Sequence, residues 1–302
     1  MAISTISTYA VVQSTLSDVS KVEANLQQEQ EQLSSVNASQ DFAGLDSKVQ
    51  QYLSLDAVLS KTNQYLNDNQ IIETRINTTS TVLSQVISSG NDLANLISQR
   101  RSGVSNPSAF SLQLDGIFQQ LAGQMNSSIG NQFLFSGSKT NRPAIDASTF
   151  PTLQKLGVAD SGYYLGSRQD LTASPQDNSS VVYNVRGDAQ GFQDIMAGLA
   201  MAKAGDSQNS DAYLQQAYDF VQKGVQEITN LQATVNANKV LFTTVDTNLQ
   251  NSKLYFQGIQ QGIGNTDLVS VSTQVATNQG ILQAAFQVYA KITSLRLSDY
   301  LK

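Results

Sequence analysis

Apolar residues at both ends of the chain recur at every seventh position, the repeat of helices that pack along a narrow seam. Such a helix needs a partner to cover its seam, so we predict that the two terminal helices pair with each other. The predicted seam consists of Val12, Leu16, Val19, Leu26 and Leu33 near the N-terminus, and of Leu268, Val271, Val275, Leu282, Ala285, Ile292 and Leu295 near the C-terminus.

Helical patterns continue inward from both ends and stop at a central segment of different composition. Residues 130–191 are rich in Gly, Ser, Asp and Asn and contain short runs typical of β-strands at 132–136, 162–166 and 181–185. We therefore predict a small β-rich insertion there. The predicted helices span about 4–35, 45–99, 108–128, 192–204 and 211–261, and a last helix opens at Thr266 and Asp267.

The resulting fold class is mainly α, elongated, with a small β-rich insertion. Residues 1–40 and 262–302 are predicted to form a coiled-coil-like stalk of paired terminal helices. Residues 41–140 and 192–261 are predicted to form an inner helical bundle, or rod, with a short β-hairpin. Residues 141–191 are predicted to form the outer β domain.

The composition excludes several classes of function. The 302 residues contain no His, Cys or Trp and carry a net charge of −6. Zinc sites, Ser-His or Cys-His nucleophilic pairs and disulfides are therefore excluded, and a general nucleic-acid binder is disfavoured because phosphate neutralisation needs clustered cations. The only notable basic pair is Arg100-Arg101.

The composition does not exclude catalysis by carboxylates alone or a site for a hard cation. The candidate residues in the predicted insertion are Asp160, Asp170, Asp177 and Asp188. Their spacing matches no known ligand loop, so we predict ordinary loop residues instead. We accordingly predict no enzymatic activity, no catalytic residue, no cofactor and no metal.

The chain has no apolar run of the roughly 18 residues that a membrane-spanning helix needs, so no membrane partner is predicted. Residues 1–9 lack the basic and apolar regions of a cleaved secretory signal. If the protein leaves the cell, we expect export by a route that reads an uncleaved end.

Both ends resemble the bacterial flagellar axial proteins, the family of flagellin and the hook-associated proteins. The segment Leu33–Leu45 reads LSSVNASQDFAGL and is similar to the family's loop after the first helix, although QDF replaces its usual Asp-Asp-Pro. Residues 267–301 are similar to the family's C-terminal helix, most specifically in LQAAF at 282–286 and LSDYL at 297–301.

An internal motif favours the hook-associated members of this family over flagellin. Residues 130–143 read GNQFLFSGSKTNRP and resemble a segment of the members that join the hook to the filament. Flagellins usually carry a Phe-Asn-Gly turn at the corresponding place. The motif residues that carry this resemblance are Phe133, Leu134, Phe135, Gly137 and Pro143.

The resemblance implies a structural role outside the cell, in a layer that joins the hook to the flagellin filament. The implied partners are further copies of this chain in a ring or helical layer, hook-associated protein 1, flagellin and a flagellar export chaperone, with export through the flagellar type III apparatus. Two alternatives stay open. One is a flagellin, and the other is a secreted glycan-binding or hydrolytic protein whose site lies in the β-rich insertion. Against the second, the sequence offers no clustered aromatic platform there, only Tyr163-Tyr164.

We predict that residues 1–40 and 262–302 are cleaved readily by proteases in the purified protein and are protected in the assembled flagellum. The narrow terminal seam is covered only in part by a single pair of helices, and neighbouring copies would complete its burial. Limited proteolysis followed by mass spectrometry measures the difference. Equal protection in both states would contradict coupled folding and assembly.

Overall fold

The computed structural model describes residues 2–35, 49–264 and 268–300, and it is mainly helical. In α1 and α6, side chains are described mainly over 13–31 and 272–291. The elements in chain order are α1 (Ala2–Ser35), α2 (Val49–Arg101), α3 (Pro107–Met125), β1 (Ser128–Ile129), β2 (Gln132–Phe133), β3 (Thr172–Ala173), β4 (Val181–Val182), α4 (Gln190–Ser207), α5 (Asp211–Gly264) and α6 (Leu268–Tyr300).

The helix predictions are confirmed, with ends that shift by a few residues. Helix α3 begins after Asn106, whose side-chain oxygen accepts a hydrogen bond from the Ala109 amide at 2.8 Å, and Pro107 fills its first turn. Asn209, with a φ of 50°, follows α4 in the left-handed conformation that commonly ends a helix. Helix α5 extends to Gly264, although Gly262 was expected to break it.

Residues 36–48 and 265–267 lie outside the described residues. Most of the family-like loop and the predicted start of the last helix at Thr266 and Asp267 fall in these ranges.

The strand predictions are confirmed only in small part. Strands β1 and β2 pair antiparallel around Gly130 and Asn131, whose φ values of 54° and 63° fit a tight hairpin turn. Strands β3 and β4 form a second antiparallel pair of two residues each, and Ile145 pairs with Tyr164 in an isolated bridge. Turns and bends occupy most of 141–191, so the outer β domain stays a prediction.

The chain divides into two compact units. The first comprises the residues up to Lys61 together with those from Ser252 onward, and the second is Thr62–Asn251. The coiled-coil stalk and the three-part division predicted from sequence stay predictions. None of the described helices has the length and apolar character that crossing a membrane requires.

The second unit has a continuous hydrophobic core shared by its helices and the central segment. Phe110, Phe192 and Phe242 from three helices are fully buried in it. The central segment contributes Ile145 and Val185 to the same core. This contribution is not evident from composition, because the segment has few apolar residues but directs several of them inward. The central segment is thus packed on the helices rather than only attached to them.

Helices α4 and α5 approach each other closely along a row of glycines. Gly191, Gly198 and Gly205 recur at seven-residue spacing on α4 and lie against Ile228, Val221 and Leu214 of α5, respectively. Because the partner positions fall as the glycine positions rise, the two helices run antiparallel here. A β-carbon on any of these glycines would overlap an atom of α5, so the absence of side chains sets the separation of the two helices.

We predict that Gly224→Ala lowers the free energy of unfolding by about 1–3 kcal/mol, the usual cost of overpacking a core. Its β-carbon would lie 2.8 Å from the Gly191 carbonyl oxygen and 2.9 Å from the Ile195 nitrogen, both backbone atoms that cannot swing away. Urea unfolding followed by circular dichroism measures the change.

The matched control is Gly116→Ala on α3, where a β-carbon would meet nothing within 4 Å. Alanine is the better helix former, so the control should gain up to about 1 kcal/mol. Equal stability changes in the two variants would show that α4 and α5 are not in close contact.

Candidate functional site

Helices α1 and α6, which carry the predicted seam residues, pack against each other in the first unit. Val19, Leu26, Val275, Leu282 and Ala285 are half-buried. Leu16 is exposed, with half of its surface accessible. The side chains of Val12, Leu33, Leu268, Val271, Ile292 and Leu295 lie outside the described residues. The role of the whole set in assembly stays a prediction.

The half-buried side chains follow an alternating spacing of three and four residues in both helices. In α1 they are Val19, Val22, Leu26 and Glu29, and in α6 they are Val275, Asn278, Leu282 and Ala285. This is the spacing of a helix face that meets one partner helix. The seam predicted from apolar residues omitted Val22, Glu29 and Asn278, and the two polar residues could not be found by searching for apolar positions.

The two polar residues of this face contact each other. Asn278 donates a hydrogen bond from Nδ2 to Oε1 of Glu29 at 2.8 Å. The second carboxylate oxygen of Glu29, Oε2, is buried and has no hydrogen-bond partner among the described residues. A buried polar atom without a partner is costly. The hydrogen bond to Oε1 therefore stabilises this contact, and the burial of Oε2 destabilises it.

The family motif at 130–143 is a structural anchor for the central segment. Leu134 and Phe135 are buried in the core, and the Phe135 ring packs edge-on against Phe192 with centroids 5.5 Å apart. Phe133 is half-buried in β2, and its amide donates to the Thr140 carbonyl at 2.8 Å. Pro143 is exposed.

Backbone hydrogen bonds join this motif to two distant stretches of chain. The Phe135 carbonyl accepts from the Gly187 amide at 2.7 Å, and the Ser136 carbonyl accepts from the Ser167 amide at 2.9 Å. The Ser138 amide donates to the Gln169 carbonyl at 3.1 Å. The motif therefore holds residues 167–169 and 187 in place.

Gly137 is the residue of the motif that no other residue type can replace without strain. Its φ is 61°, a conformation that costs other L-residues about 1 kcal/mol or more. A β-carbon at this position would overlap the Ser167 carbonyl oxygen. Gly137 is one of the residues on which the resemblance rests, and the close approach of two backbones explains why a glycine occupies this position.

Tyr163 and Tyr164 both form hydrogen bonds to backbone carbonyls, and these contacts bear on the alternative of a glycan-binding protein. The Tyr163 hydroxyl donates to the Gly187 carbonyl at 2.8 Å, and the Tyr164 hydroxyl lies 2.9 Å from the Ser167 carbonyl oxygen. Burial raises the pKa of Tyr163 well above its ordinary value and, with the nearby Asp188 charge, that of Tyr164 to about 12. Both hydroxyls are thus engaged in hydrogen bonds to the backbone of the central segment.

The carboxylates of the central segment are paired or used in turns. Asp170 and Asp188 bind Arg186 at 2.7 and 2.8 Å. Asp160 accepts hydrogen bonds from the amides of Gln154 and Gly162, both at 2.8 Å, and Asp177 accepts from the Tyr65 hydroxyl at 2.8 Å. Among the described residues, no group of three or more acidic residues is arranged to hold a metal ion.

The basic pair that the sequence singled out is also neutralised within the chain. Arg100 binds Asp206 at 2.6 Å, with both side chains largely buried, and Arg101 binds Asp211 at 2.9 Å. The hydrogen bond from Arg101 is the main reason that the pKa of Asp211 is lowered. These pairs connect the end of α2 to α4 and α5.

A cavity of about 410 Å³ opens between the central segment and the helices of the second unit. Phe118, Phe150, Tyr163, Leu165 and Met196 are among its lining residues. Phe118 and Phe150 contact each other with centroids 5.0 Å apart, and the Lys203 ammonium lies 4.0 Å from the centre of the Phe150 ring. Its walls are of mixed character, because Asp146, Thr149, Thr152 and Gln154 also line it.

Comparison with solved structures finds the same fold in flagellar proteins. A protein of Vibrio parahaemolyticus described as a flagellar hook-associated protein matches with a TM-score of 0.60 and 16% identity, over 71% of this chain and 96% of its own. FlgL of Bacillus cereus matches with a TM-score of 0.54 and 16% identity, over 70% of this chain and 98% of its own. No protein-family model and no curated protein sequence matches this chain. The resemblance read from the sequence is thus confirmed at the level of the fold.

We predict that Gly137→Ala destabilises the second unit by about 2 kcal/mol or more, since it combines an unfavourable φ with the overlap at Ser167. Gly130→Ala is the matched control, because its φ of 54° is also left-handed but a β-carbon there would meet nothing within 4 Å. Thermal unfolding of both variants isolates the contact from the conformational cost. A control as unstable as Gly137→Ala would mean that the motif does not press against residues 167–169.

Proposed function

We propose that this chain is a structural component of the bacterial flagellum and that it joins the hook to the flagellin filament. Within the family that it resembles, it is most like hook-associated protein 3. The observation that carries the proposal is the fold that the chain shares with a flagellar hook-associated protein and with FlgL, over nearly their whole length. No catalytic role is part of the proposal.

Two features of the residues support this proposal independently of the comparison. The motif at 130–143, which resembles junction proteins rather than flagellin, forms a turn with Phe135 buried in the core of the second unit and Phe133 half-buried. The terminal helices carry a face of half-buried residues, as expected for helices that gain further cover in an assembly.

The proposed partners are further copies of this chain in a ring or helical layer, hook-associated protein 1 on the hook side and flagellin on the filament side. A flagellar export chaperone is proposed to bind the chain before export through the type III apparatus. The proposed location is extracellular, on the flagellum.

A flagellin, the bulk filament subunit, is the alternative closest to this proposal. The two roles differ in where the protein lies, since a junction protein occupies a short layer and a flagellin occupies the whole filament. The glycan-binding alternative is weakened because the hydroxyls of Tyr163 and Tyr164 bond to backbone carbonyls.

We predict that Leu282→Asp abolishes filament attachment while the second unit stays folded. Leu282 is half-buried on α6, and a carboxylate that becomes covered by a neighbouring copy costs on the order of 2 kcal/mol or more without a partner. The variant is expressed in a strain that lacks the wild-type gene. Swimming and electron microscopy of the flagella measure attachment, and circular dichroism of the purified protein measures folding.

Gln283→Asp is the matched control, because it adds the same charge at the adjacent, exposed position of the same helix. It should support normal filaments. Normal filaments with Leu282→Asp would contradict the predicted seam. Filaments that form normally without any copy of the gene would contradict the junction role itself.

A further inference from the structure

The face that α1 and α6 present to each other does not by itself determine how the two helices align. The half-buried apolar residues are Val19, Val22 and Leu26 on α1 and Val275, Leu282 and Ala285 on α6, two helices that pack against each other. Because both patterns repeat every seven residues, sliding one helix by one repeat, about 10 Å, brings apolar residues onto apolar residues again. Hydrophobic burial alone therefore distinguishes poorly between these registers.

Glu29 and Asn278 are the polar members of this face, and they meet in one register only. Their hydrogen bond of 2.8 Å is lost when either helix slides by one repeat. Glu29 would then place both carboxylate oxygens against apolar side chains, and Asn278 would lose its acceptor. A polar group left buried without a partner is penalised more than the bond itself is favourable, so the shifted registers are disfavoured.

The same pair weakens the association that it directs. Oε2 of Glu29 is buried and has no hydrogen-bond partner among the described residues. A carboxylate oxygen in that state opposes closure of the helix pair, whereas two leucines at these positions would favour it. The contact thus has the character of a polar residue in a coiled-coil seam, which specifies alignment at a cost in stability.

We propose that the Glu29–Asn278 hydrogen bond selects the register in which the two terminal helices pair, and that it keeps this pairing weak in a single chain. The inference goes beyond the proposed function and concerns the isolated protein. Its test uses purified protein, so a failure of the flagellar role would leave it standing, and its own failure would leave the flagellar role standing.

The experiment measures the distance between α1 and α6 with two spin labels. The chain contains no cysteine, so Asn25→Cys and Gln283→Cys, both at exposed positions, label the full-length protein at two sites only. Pulsed electron paramagnetic resonance then reports the distribution of distances. The protein with native Glu29 and Asn278 should show one narrow population for the closed pair beside a broad population for open chains.

Two variants separate register from stability. Asn278→Leu should lower the ratio of closed to open chains by about fivefold or more, because Oε1 of Glu29 loses the donor that it has in the parent protein. Glu29→Leu combined with Asn278→Leu should raise the closed fraction above that of the parent protein. It should also add a second closed population, displaced along the helix by one repeat of about 10 Å.

The matched control is Val22→Leu combined with Val275→Leu, which enriches the same face in leucine but keeps the polar pair. It should retain one narrow closed population. The proposal is overturned if the double leucine variant at 29 and 278 shows the parent's single distance and closed fraction, or if Asn278→Leu leaves the closed fraction unchanged. It is also overturned if the control acquires the second population. Should the parent protein show no closed population, the double leucine variant must create one, and its failure to do so would equally refute the proposal.

Discussion

The face residues of α1 and α6 are only half-buried in a single chain. This incomplete burial limits the stability that the pair of terminal helices can gain by itself. One helix covers a narrow band of its partner and leaves the flanks accessible. On those flanks, Leu16, Ile281, Phe286 and Val288 expose about half of their surface. Apolar area that stays in contact with water adds nothing to stability, so the terminal helices gain most when another molecule covers them.

The second unit, by contrast, covers its large apolar side chains with other parts of the same chain. Its core buries four phenylalanines completely, three from helices and one from the central segment, and the glycine row of α4 lets α5 approach closely. Ion pairs connect the end of α2 to the end of α4 and the start of α5, and the family motif holds the central segment in place through backbone hydrogen bonds. The second unit thus has its own core, whereas the first unit has a face that its two helices cover only in part.

The sequence predicted the helices well because local signals define their ends. Asn106 and Pro107 mark the start of α3, and the polar stretch around Asn209 separates α4 from α5. The central segment was harder, because its structure depends on contacts between residues that are distant in sequence. Residues 162–166 have the composition of a strand, yet Tyr164 forms a single bridge and its hydroxyl bonds to the backbone of the motif.

In the candidate site, too, some residues follow from a local sequence pattern and others only from contacts between distant residues. A seven-residue repeat is visible in the sequence, so Val19, Leu26, Val275, Leu282 and Ala285 could be placed on one face before the structure was known. Glu29 could not, because a search for apolar positions passes over a carboxylate, and its half-buried position follows from the helix opposite. The motif residues were found through resemblance, but the reason for Gly137 became clear only from the position of Ser167.

The position of the protein on intact flagella tests the central claim most directly. The chain has no cysteine, so Lys155→Cys, at an exposed position of the central segment, provides one site for a gold or fluorescent label. A junction protein predicts one short labelled band per flagellum, between the hook and the filament. Label along the whole filament would identify a filament subunit instead, and label absent from the flagellum would contradict a flagellar role.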